Sequence, residues 1–582
     1  MKVLLTAINA KYIHSNLAVY SLKANCGVYE PQVKLMEYSI NQYPEEIFRS
    51  LYREKADVVC FSCYIWNIGF VEQIAGWLKQ VAPRTEIWLG GPEVSFDVAE
   101  RLEQQPFIDG VMYGEGEDTF REMMACWNGD MDVENVLGIG HRHKDGGSSG
   151  EIHVHGARDF VDMSGLNFVY TRPEDFKNKI IYYETSRGCP FQCSYCLSSV
   201  EKKVRFRDLD LVKRELQQFI DWGIPQVKFV DRTFNCRREH SMEILKFIKA
   251  HDRGKTNFHF EITADLLTEE ELEFMAGLRP GLIQLEIGVQ STNPQTIQEI
   301  RRNVSFEKLK GIVQRIHEGK NIHQHLDLIA GLPYEDLERF KQSFNDVYAL
   351  KPEQFQLGFL KVLKGSYMRE KAEDYGLVYQ PEPPYEVMAT RWLSYDDILV
   401  LKGVEEMVEV YYNSRQFENS LDWLEGHFPS AFAMYEQMAQ YYEAKGLNGV
   451  SHSRMARYEI LLEFVKEKLN IEETDIFVQI LTYDLYLREN VKSRPAWASG
   501  QDAYKAAYVE FFKREENRAR YFSGYGGYTT KQIQRMTHIE HFTRDIREGA
   551  GGEKDGGVFI WFDYLNRDPL TYKSRTVEVE LW

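Results

Sequence analysis

No apolar run in this sequence approaches the roughly 20 residues of a membrane-spanning helix, so a helical membrane protein is not expected. Cysteine is scarce, eight in 582 residues, too few for the disulfide framework of a secreted scaffold. Basic residues are outnumbered, 70 Lys and Arg against 88 Asp and Glu, and a net charge of −18 argues against a broad nucleic-acid-binding surface. The opening Met1-Lys2-Val3-Leu4-Leu5-Thr6-Ala7-Ile8 is interrupted too soon for the apolar core of a secretory signal and reads as a strand. These absences point to a reducing cytoplasm, with neither membrane nor nucleic acid as partner.

The few cysteines are unevenly placed. Cys26, Cys60, Cys63, Cys126 and Cys236 are scattered and read as buried thiols. Cys60 and Cys63 form a C-x-x-C pair, but they end an apolar strand rather than open a helix. The other three, Cys189, Cys193 and Cys196, fall within Arg187-Gly188-Cys189-Pro190-Phe191-Gln192-Cys193-Ser194-Tyr195-Cys196, directly after the apolar run Ile180-Ile181-Tyr182-Tyr183. Thiolates hold iron–sulfur clusters, and three of them leave one iron of a cubane without a protein ligand. An open coordination position is what a catalytic metal centre needs. Structural zinc, the alternative on spacing, would want a fourth Cys or His nearby, and the loop has none. The loop resembles the signature of the radical SAM superfamily. That resemblance implies a 4Fe-4S cluster on Cys189, Cys193 and Cys196, with S-adenosylmethionine chelated at the open iron and cleaved to a 5′-deoxyadenosyl radical. It also implies an electron donor such as flavodoxin or ferredoxin, and Tyr195 beside the adenine.

At 582 residues the chain should hold three or four domains. Residues 1–145 alternate short apolar runs with amphipathic segments. Candidate strands are Val3–Ile8, Val33–Glu37, Val58–Ser62, Glu86–Leu89 and Ile108–Met112. Candidate helices between and after them begin near Leu17, Glu45, Phe70, Val94 and Glu117. Five such β-α units predict an α/β, doubly wound, flavodoxin-like domain that binds ligands beyond the carboxyl ends of its strands. The crevice is expected to be built from this domain's own loops: Asn9–Asn16, Cys63–Asn67, Gly90-Gly91-Pro92-Glu93 and Gly114-Glu115-Gly116-Glu117. Glycine lets backbone approach a flat ligand closely. The last two loops, upstream of a radical SAM signature, resemble the cobalamin-binding domain of cobalamin-dependent radical SAM enzymes. The resemblance implies cobalamin contacts from His14, Ser62, Gly90, Gly91, Pro92, Glu93, Gly114, Glu115 and Gly116. The family's histidine-ligating members carry Asp-x-His-x-x-Gly after the first strand. This chain has Tyr12-Ile13-His14-Ser15-Asn16-Leu17, a histidine without the aspartate or the glycine, so His14 is expected as a pocket residue rather than a cobalt ligand.

Residues 146–178 read as a linker, with Lys144-Asp145-Gly146-Gly147-Ser148-Ser149-Gly150 a turn or flexible segment and His141, His143, His153 and His155 explained by alternation in a hairpin. Residues 179–368 resume the β-α alternation with six strands, which predicts a partial (β/α)6 TIM-type barrel whose function sits at the carboxyl ends of the strands. Charged residues on apolar strands are costly unless paired or used, and the unusual residues fall at those ends. By resemblance to the radical SAM core, Glu286 and Gln290 lie near the ribose and methionine of S-adenosylmethionine, and Asp231 to Asn235 lies where the family has backbone contacts to its amino group. Glu261 joins them as a cofactor candidate; Glu261 and Glu286 balanced by arginines is the plainer alternative. Residues 369–582 read as a mainly α-helical domain ending in strands at Val558–Tyr564 and Thr576–Leu581. The aromatic run Tyr521–Tyr528 is open to two readings, a substrate loop or a mobile surface loop.

The resemblances imply a cobalamin-dependent radical SAM enzyme that methylates an unactivated carbon of an unknown substrate. Alternatives are a radical rearrangement or cyclisation with the same cofactors, a methylthiotransferase, and a cobalamin sensor without turnover. No residue stands out from the sequence as catalytic.

Overall fold

A computed structural model describes residues 1–143, 150–548 and 553–581 of the chain. Lys144 to Ser149, most of the expected turn, lie outside the described residues. The N-terminal sheet has parallel strands β1 (Val3–Asn9), β2 (Val33–Ser39), β3 (Val58–Ser62), β4 (Glu86–Gly90) and β5 (Gly110–Met112) in the order β2-β1-β3-β4-β5. β1 and β3 are buried along their whole length, because helices cover both faces. Leu4 and Ile8 of β1 pack in one layer and Val3, Leu5 and Ala7 in the other, as the two-residue period of a strand requires.

This sheet runs on past the expected boundary at 145. β6 (Ile139–Arg142) pairs antiparallel with β5, and β7 (Ile152–Val154) antiparallel with β6, so the edge of the sheet is a hairpin. Part of the expected linker is therefore strand. β7 has only three residues and an edge position, too little apolar periodicity to read as part of the sheet.

Six parallel strands form the central unit: Ile181–Tyr183, Gln226–Phe229, Asn257–Ile262, Ile283–Gln290, His323–Ala330 and Gln354–Phe359. Helices alternate with them and start where caps dictate. Asp208 accepts hydrogen bonds from the amides of Asp210 and Leu211, and Thr268 and Glu271 form a reciprocal capping box. The sixth strand ends the sheet, and Asn413 closes part of its open edge. The Asn413 side chain accepts from the Phe355 amide and donates to the Phe355 carbonyl, each at 2.9 Å. Asn413 directly follows a wide π turn, Val408–Tyr412, that prolongs helix Tyr395–Met407.

The C-terminal region is mainly helical, with a three-stranded antiparallel sheet of Thr537–Arg544, Glu553–Arg567 and Ser574–Glu578. The first of these strands was not expected. The aromatic run is not a surface loop throughout: Phe522 and Tyr525 are buried against Trp561, and the Tyr525 hydroxyl donates to Asp563. Cys126 and Cys236, expected to be buried, are half-buried. No helix among the described residues is long and apolar enough to cross a membrane.

Candidate functional site

A cavity of about 830 Å³ lies between the carboxyl ends of the N-terminal strands and the first barrel strand. His14, Ser62, Gly90, Gly91, Pro92, Gly114, Glu115 and Gly116 line it. Gly91 has φ +114°, and a Cβ there would stand 2.5 Å from the Cys63 carbonyl oxygen, so only glycine lets the loops after β3 and β4 pass this closely. Tyr64 and Trp66, stacked with ring centroids 4.3 Å apart, add an aromatic rim.

Glu93 does not line this cavity. The tight turn Pro92–Val94 carries its side chain away, where it is buried, accepts from the Tyr385 hydroxyl and lies 3.9 Å from Arg101. Burial, only partly offset by Tyr385 and nearby cations, raises its pKa. The opposite wall comes from beyond the N-terminal domain, through Phe168, Tyr170, Tyr182, Glu184, Arg187 and Arg232. The expectation of a crevice made from one domain's loops is thereby corrected. His14 shows the same sharing: its Nδ1 is 2.7 Å from the Tyr182 hydroxyl of the first barrel strand, and no carboxylate among the described residues orients it. Burial, then the charges of Lys11 and Lys228, lower its pKa and favour the neutral ring.

Charged side chains bind the two walls together. Arg205 donates to Glu115 at 2.5 Å, and Arg187 donates to Glu117 at 2.9 Å and to Glu184 at 2.8 Å. Burial alone would raise the pKa of Glu115, but Arg205 and Arg187 overcome it and hold it low. The Gly-Glu-Gly-Glu loop thus supplies carboxylates that fix the cysteine loop, besides its exposed backbone. The sequence reading missed Glu117, Arg187 and Arg205; only the position of Arg187 beside Gly188-Cys189 hints at it.

The cysteine loop is anchored at its start. Asp231 accepts from the Thr185 amide at 3.0 Å and from the Thr185 and Ser186 hydroxyls at 2.6 Å each. Burial pushes this carboxyl up to about 6 despite the three donors. Its side chain is therefore occupied, as is that of Asn235, which exchanges hydrogen bonds with the Thr263 backbone. These side chains hold in place the backbone of the segment expected to contact the ligand, and Arg232 between them faces the cavity. Gly188 has φ +95°, and a Cβ there would meet the Lys203 carbonyl oxygen at 2.4 Å.

Cys189, Cys193 and Cys196 are unpaired and half-buried. Burial raises the Cys193 thiol, with Arg302 opposing. Arg302, also missed from sequence, donates to the Tyr195 hydroxyl at 3.2 Å and to the Gly288 carbonyl at 2.9 Å, tying the loop to the end of the fourth barrel strand. Tyr195 does not line the large cavity; it borders a smaller hollow of about 420 Å³ beside Ile329 and Leu357.

Inside the barrel, Glu261, Glu286 and His325 stand in register on adjacent strands. Glu286 accepts from Lys228 at 3.0 Å and lies 3.0 Å from His259 Nε2. Burial opposes its charge, but His259 and Lys228 prevail and hold it at about 2. Its balancing partners are lysine and histidine, not the arginines considered from sequence. Glu261 has no ion pair among the described residues, and burial, with Glu286 adding to it, pushes it up to about 7. Gln290 sits at a bulge in the fourth strand with φ +70°, and its buried Oε1 has no partner among the described residues. A strained backbone carrying an orphan acceptor is an arrangement that a polar ligand completes. Three free thiols beside a guanidinium suit an iron–sulfur cluster, the orphan acceptor suits S-adenosylmethionine, and the glycine-walled cavity suits a corrin.

Comparison with known proteins places these features in families. Residues 3–124 match the B12 binding domain, residues 183–347 the radical SAM superfamily, and residues 373–560 a family of unknown function, DUF4080. The 2-(S-pantetheinyl)-carbapenam-3-carboxylate methyltransferase of Streptantibioticus cattleyicolor is 24% identical over 434 residues, 67% of this chain and 62% of its own length. The cobalamin-dependent radical SAM methyltransferase TokK of Streptomyces tokunonensis is 26% identical over 356 residues, 56% of this chain and 50% of its own. The matched region thus spans between half and two thirds of these relatives. A solved structure of the cobalamin-dependent S-adenosylmethionine radical enzyme OxsB with aqua-cobalamin bound superposes with a TM-score of 0.58 at 15% identity, covering 90% of this chain and 84% of that one, which establishes a shared fold.

Proposed function

The chain joins a B12 binding domain to a radical SAM core, and from that premise we propose that it is a cobalamin-dependent radical SAM methyltransferase acting on an unactivated carbon. The observation that carries this reading is the single chamber shared by the two domains, with the cysteine loop bolted to the glycine loop through Glu115, Glu117, Arg187 and Arg205. The bound cofactors would supply hydrogen abstraction and a transferable methyl group. The chain's own residues do the rest. Cys189, Cys193 and Cys196 would hold the cluster, Arg302 and Asp231 fix their loop, and Gln290 offers its free acceptor to S-adenosylmethionine. Tyr182, Arg187 and Arg232 face the chamber from the barrel side, where they can orient a ligand lying against Gly90, Gly91 and Gly114. Glu261, titrating near neutrality, can hold or release a proton inside the barrel. The electron donor is proposed to be a flavodoxin or ferredoxin.

The test is product coupling. Anaerobically reconstituted protein should cleave S-adenosylmethionine to 5′-deoxyadenosine, and Cys189→Ala, Cys193→Ala and Cys196→Ala should each abolish this and lose cluster iron. With cell extract as the source of substrate, methyl-deuterated S-adenosylmethionine should label a product while S-adenosylhomocysteine and 5′-deoxyadenosine accumulate together. Vigorous 5′-deoxyadenosine formation with neither label nor S-adenosylhomocysteine would replace methyl transfer with a rearrangement.

A further inference from the structure

We propose that Glu134, His141 and His155 form a binding site for a divalent transition-metal ion, zinc by its ligand chemistry, at the hairpin edge of the N-terminal sheet. One candidate ligand atom from each of the three lies within 4.8 Å of the others. His141 on β6 and His155 just after β7 point their Nε2 atoms at each other across 3.2 Å. Ligands about 2.0–2.1 Å from a tetrahedral zinc stand roughly 3.3 Å apart, so this spacing is already that of one edge of the tetrahedron. Glu134, on the turn Val133–Asn135, brings Oε1 to 4.0 Å from His141 Nε2 and Oε2 to 3.8 Å from His155 Nε2. A movement of roughly 1 Å by this exposed side chain would complete a third ligand.

The rings are oriented as metal ligands are. His155 Nδ1 lies 2.6 Å from the Val136 carbonyl oxygen, which accepts the Nδ1 proton and leaves the Nε2 lone pair bare. His141, buried on β6, turns its own Nε2 toward this atom. The two Nε2 atoms thus meet at 3.2 Å, in a largely buried position, beside a carboxylate. A cation between them would take both nitrogens as ligands, and borderline nitrogen and oxygen donors select zinc over magnesium or calcium. His153 supplies a fourth candidate, its Nδ1 3.9 Å from Glu134 Oε1; otherwise water fills the position. The ion would clamp the 133–135 turn to a hairpin that also accepts the Tyr113 amide through the Gly138 carbonyl, directly behind Gly114 of the large cavity. Nothing in this site depends on the cofactors or on the proposed reaction.

The full-length chain carrying Cys189→Ala, Cys193→Ala and Cys196→Ala, which removes the three clustered thiols, should be stripped of metal and titrated with Zn2+ against a chromophoric chelator. One equivalent should bind tighter than roughly 1 μM. Glu134→Gln alters an exposed residue and should weaken binding at least tenfold with an unchanged circular dichroism spectrum. His141→Ala combined with His155→Ala should abolish stoichiometric binding. X-ray absorption at the zinc edge should show two imidazole nitrogens at about 2.0 Å, a readout that stands even where the double variant fails to fold. No binding tighter than roughly 10 μM, or an absorption spectrum without two imidazoles, would overturn the site and leave a plain hydrogen bond between the rings.

Discussion

Glu261 and Glu286 are opposite neighbours in register, and their surroundings drive them apart. Glu286 has an ammonium and an imidazole at 3.0 Å and stays ionised. Glu261 has burial and the Glu286 charge against it, so it keeps its proton up to about pH 7. The stability consequence has a definite sign. Glu261 binds its proton more tightly in the folded chain than at its ordinary value of 4.5, so the folded state is favoured below that pH and loses this advantage as pH rises toward 7. The full effect is roughly 3 kcal/mol, since each tenfold gain in proton affinity is worth about 1.4 kcal/mol. Denaturant unfolding of the cofactor-free protein at pH 5 and pH 8 should therefore show a decline that Glu261→Gln flattens by an amount of this order. Equal slopes in the two proteins would mean that Glu261 is ionised throughout. The same residue-scale logic explains which sites were legible in the sequence. The three cysteines are carried by spacing alone. Glu93 was misplaced because the tight turn Pro92–Val94 decides where its side chain goes, and a turn leaves no trace in composition.

At the scale of elements, the parallel strands were readable because burial on both faces gives near-continuous apolar runs such as Val3-Leu4-Leu5-Thr6-Ala7-Ile8. The strand Thr537–Arg544 was not, since it alternates with histidine and charge where one side is partly exposed, and the hairpin expected from its histidines was not recognised as the edge of this sheet. Loops that carry glycine were located, and the structure adds why they need it. Gly91→Ala would put a methyl group 2.5 Å from the Cys63 carbonyl oxygen in a backbone region that alanine avoids. The loops after β3 and β4 must then separate, at a cost of about 1–3 kcal/mol in stability. Titration with hydroxocobalamin, followed by its visible spectrum, should show weaker binding by Gly91→Ala than by the unaltered chain. Gly69→Ala is the control, because a Cβ there meets nothing within 4 Å and the position lies on a helix outside the cavity. Equal weakening by both would remove the special role of the Gly91 contact.

The whole molecule makes a site that neither of its first two domains contains. Glu115 and Arg205 are 90 residues apart, and His14 and Tyr182 are 168 apart, so no local pattern announces these contacts. They decide how the cavity is closed. A flat ligand resting on Ser62, Gly90 and Gly114 would touch Tyr182, Arg187 and Arg232 on its other side. Removing the barrel strips away one of two walls, and with it a large share of the apolar area that the ligand buries. Each loss of about 1.4 kcal/mol is a factor of ten in affinity. A polypeptide of residues 1–156, which keeps the hairpin β6–β7 that a cut at 145 would sever, should fold with its full sheet, because both apolar layers close within it. It should nevertheless bind hydroxocobalamin at least tenfold more weakly than the whole chain. Arg187→Ala in the whole chain should fall between the two, since Glu117 and Glu184 lose their shared partner while the wall itself remains. Equal affinity of the short polypeptide and the whole chain would mean that the N-terminal loops alone hold the ligand, and the barrel wall would then belong to the substrate.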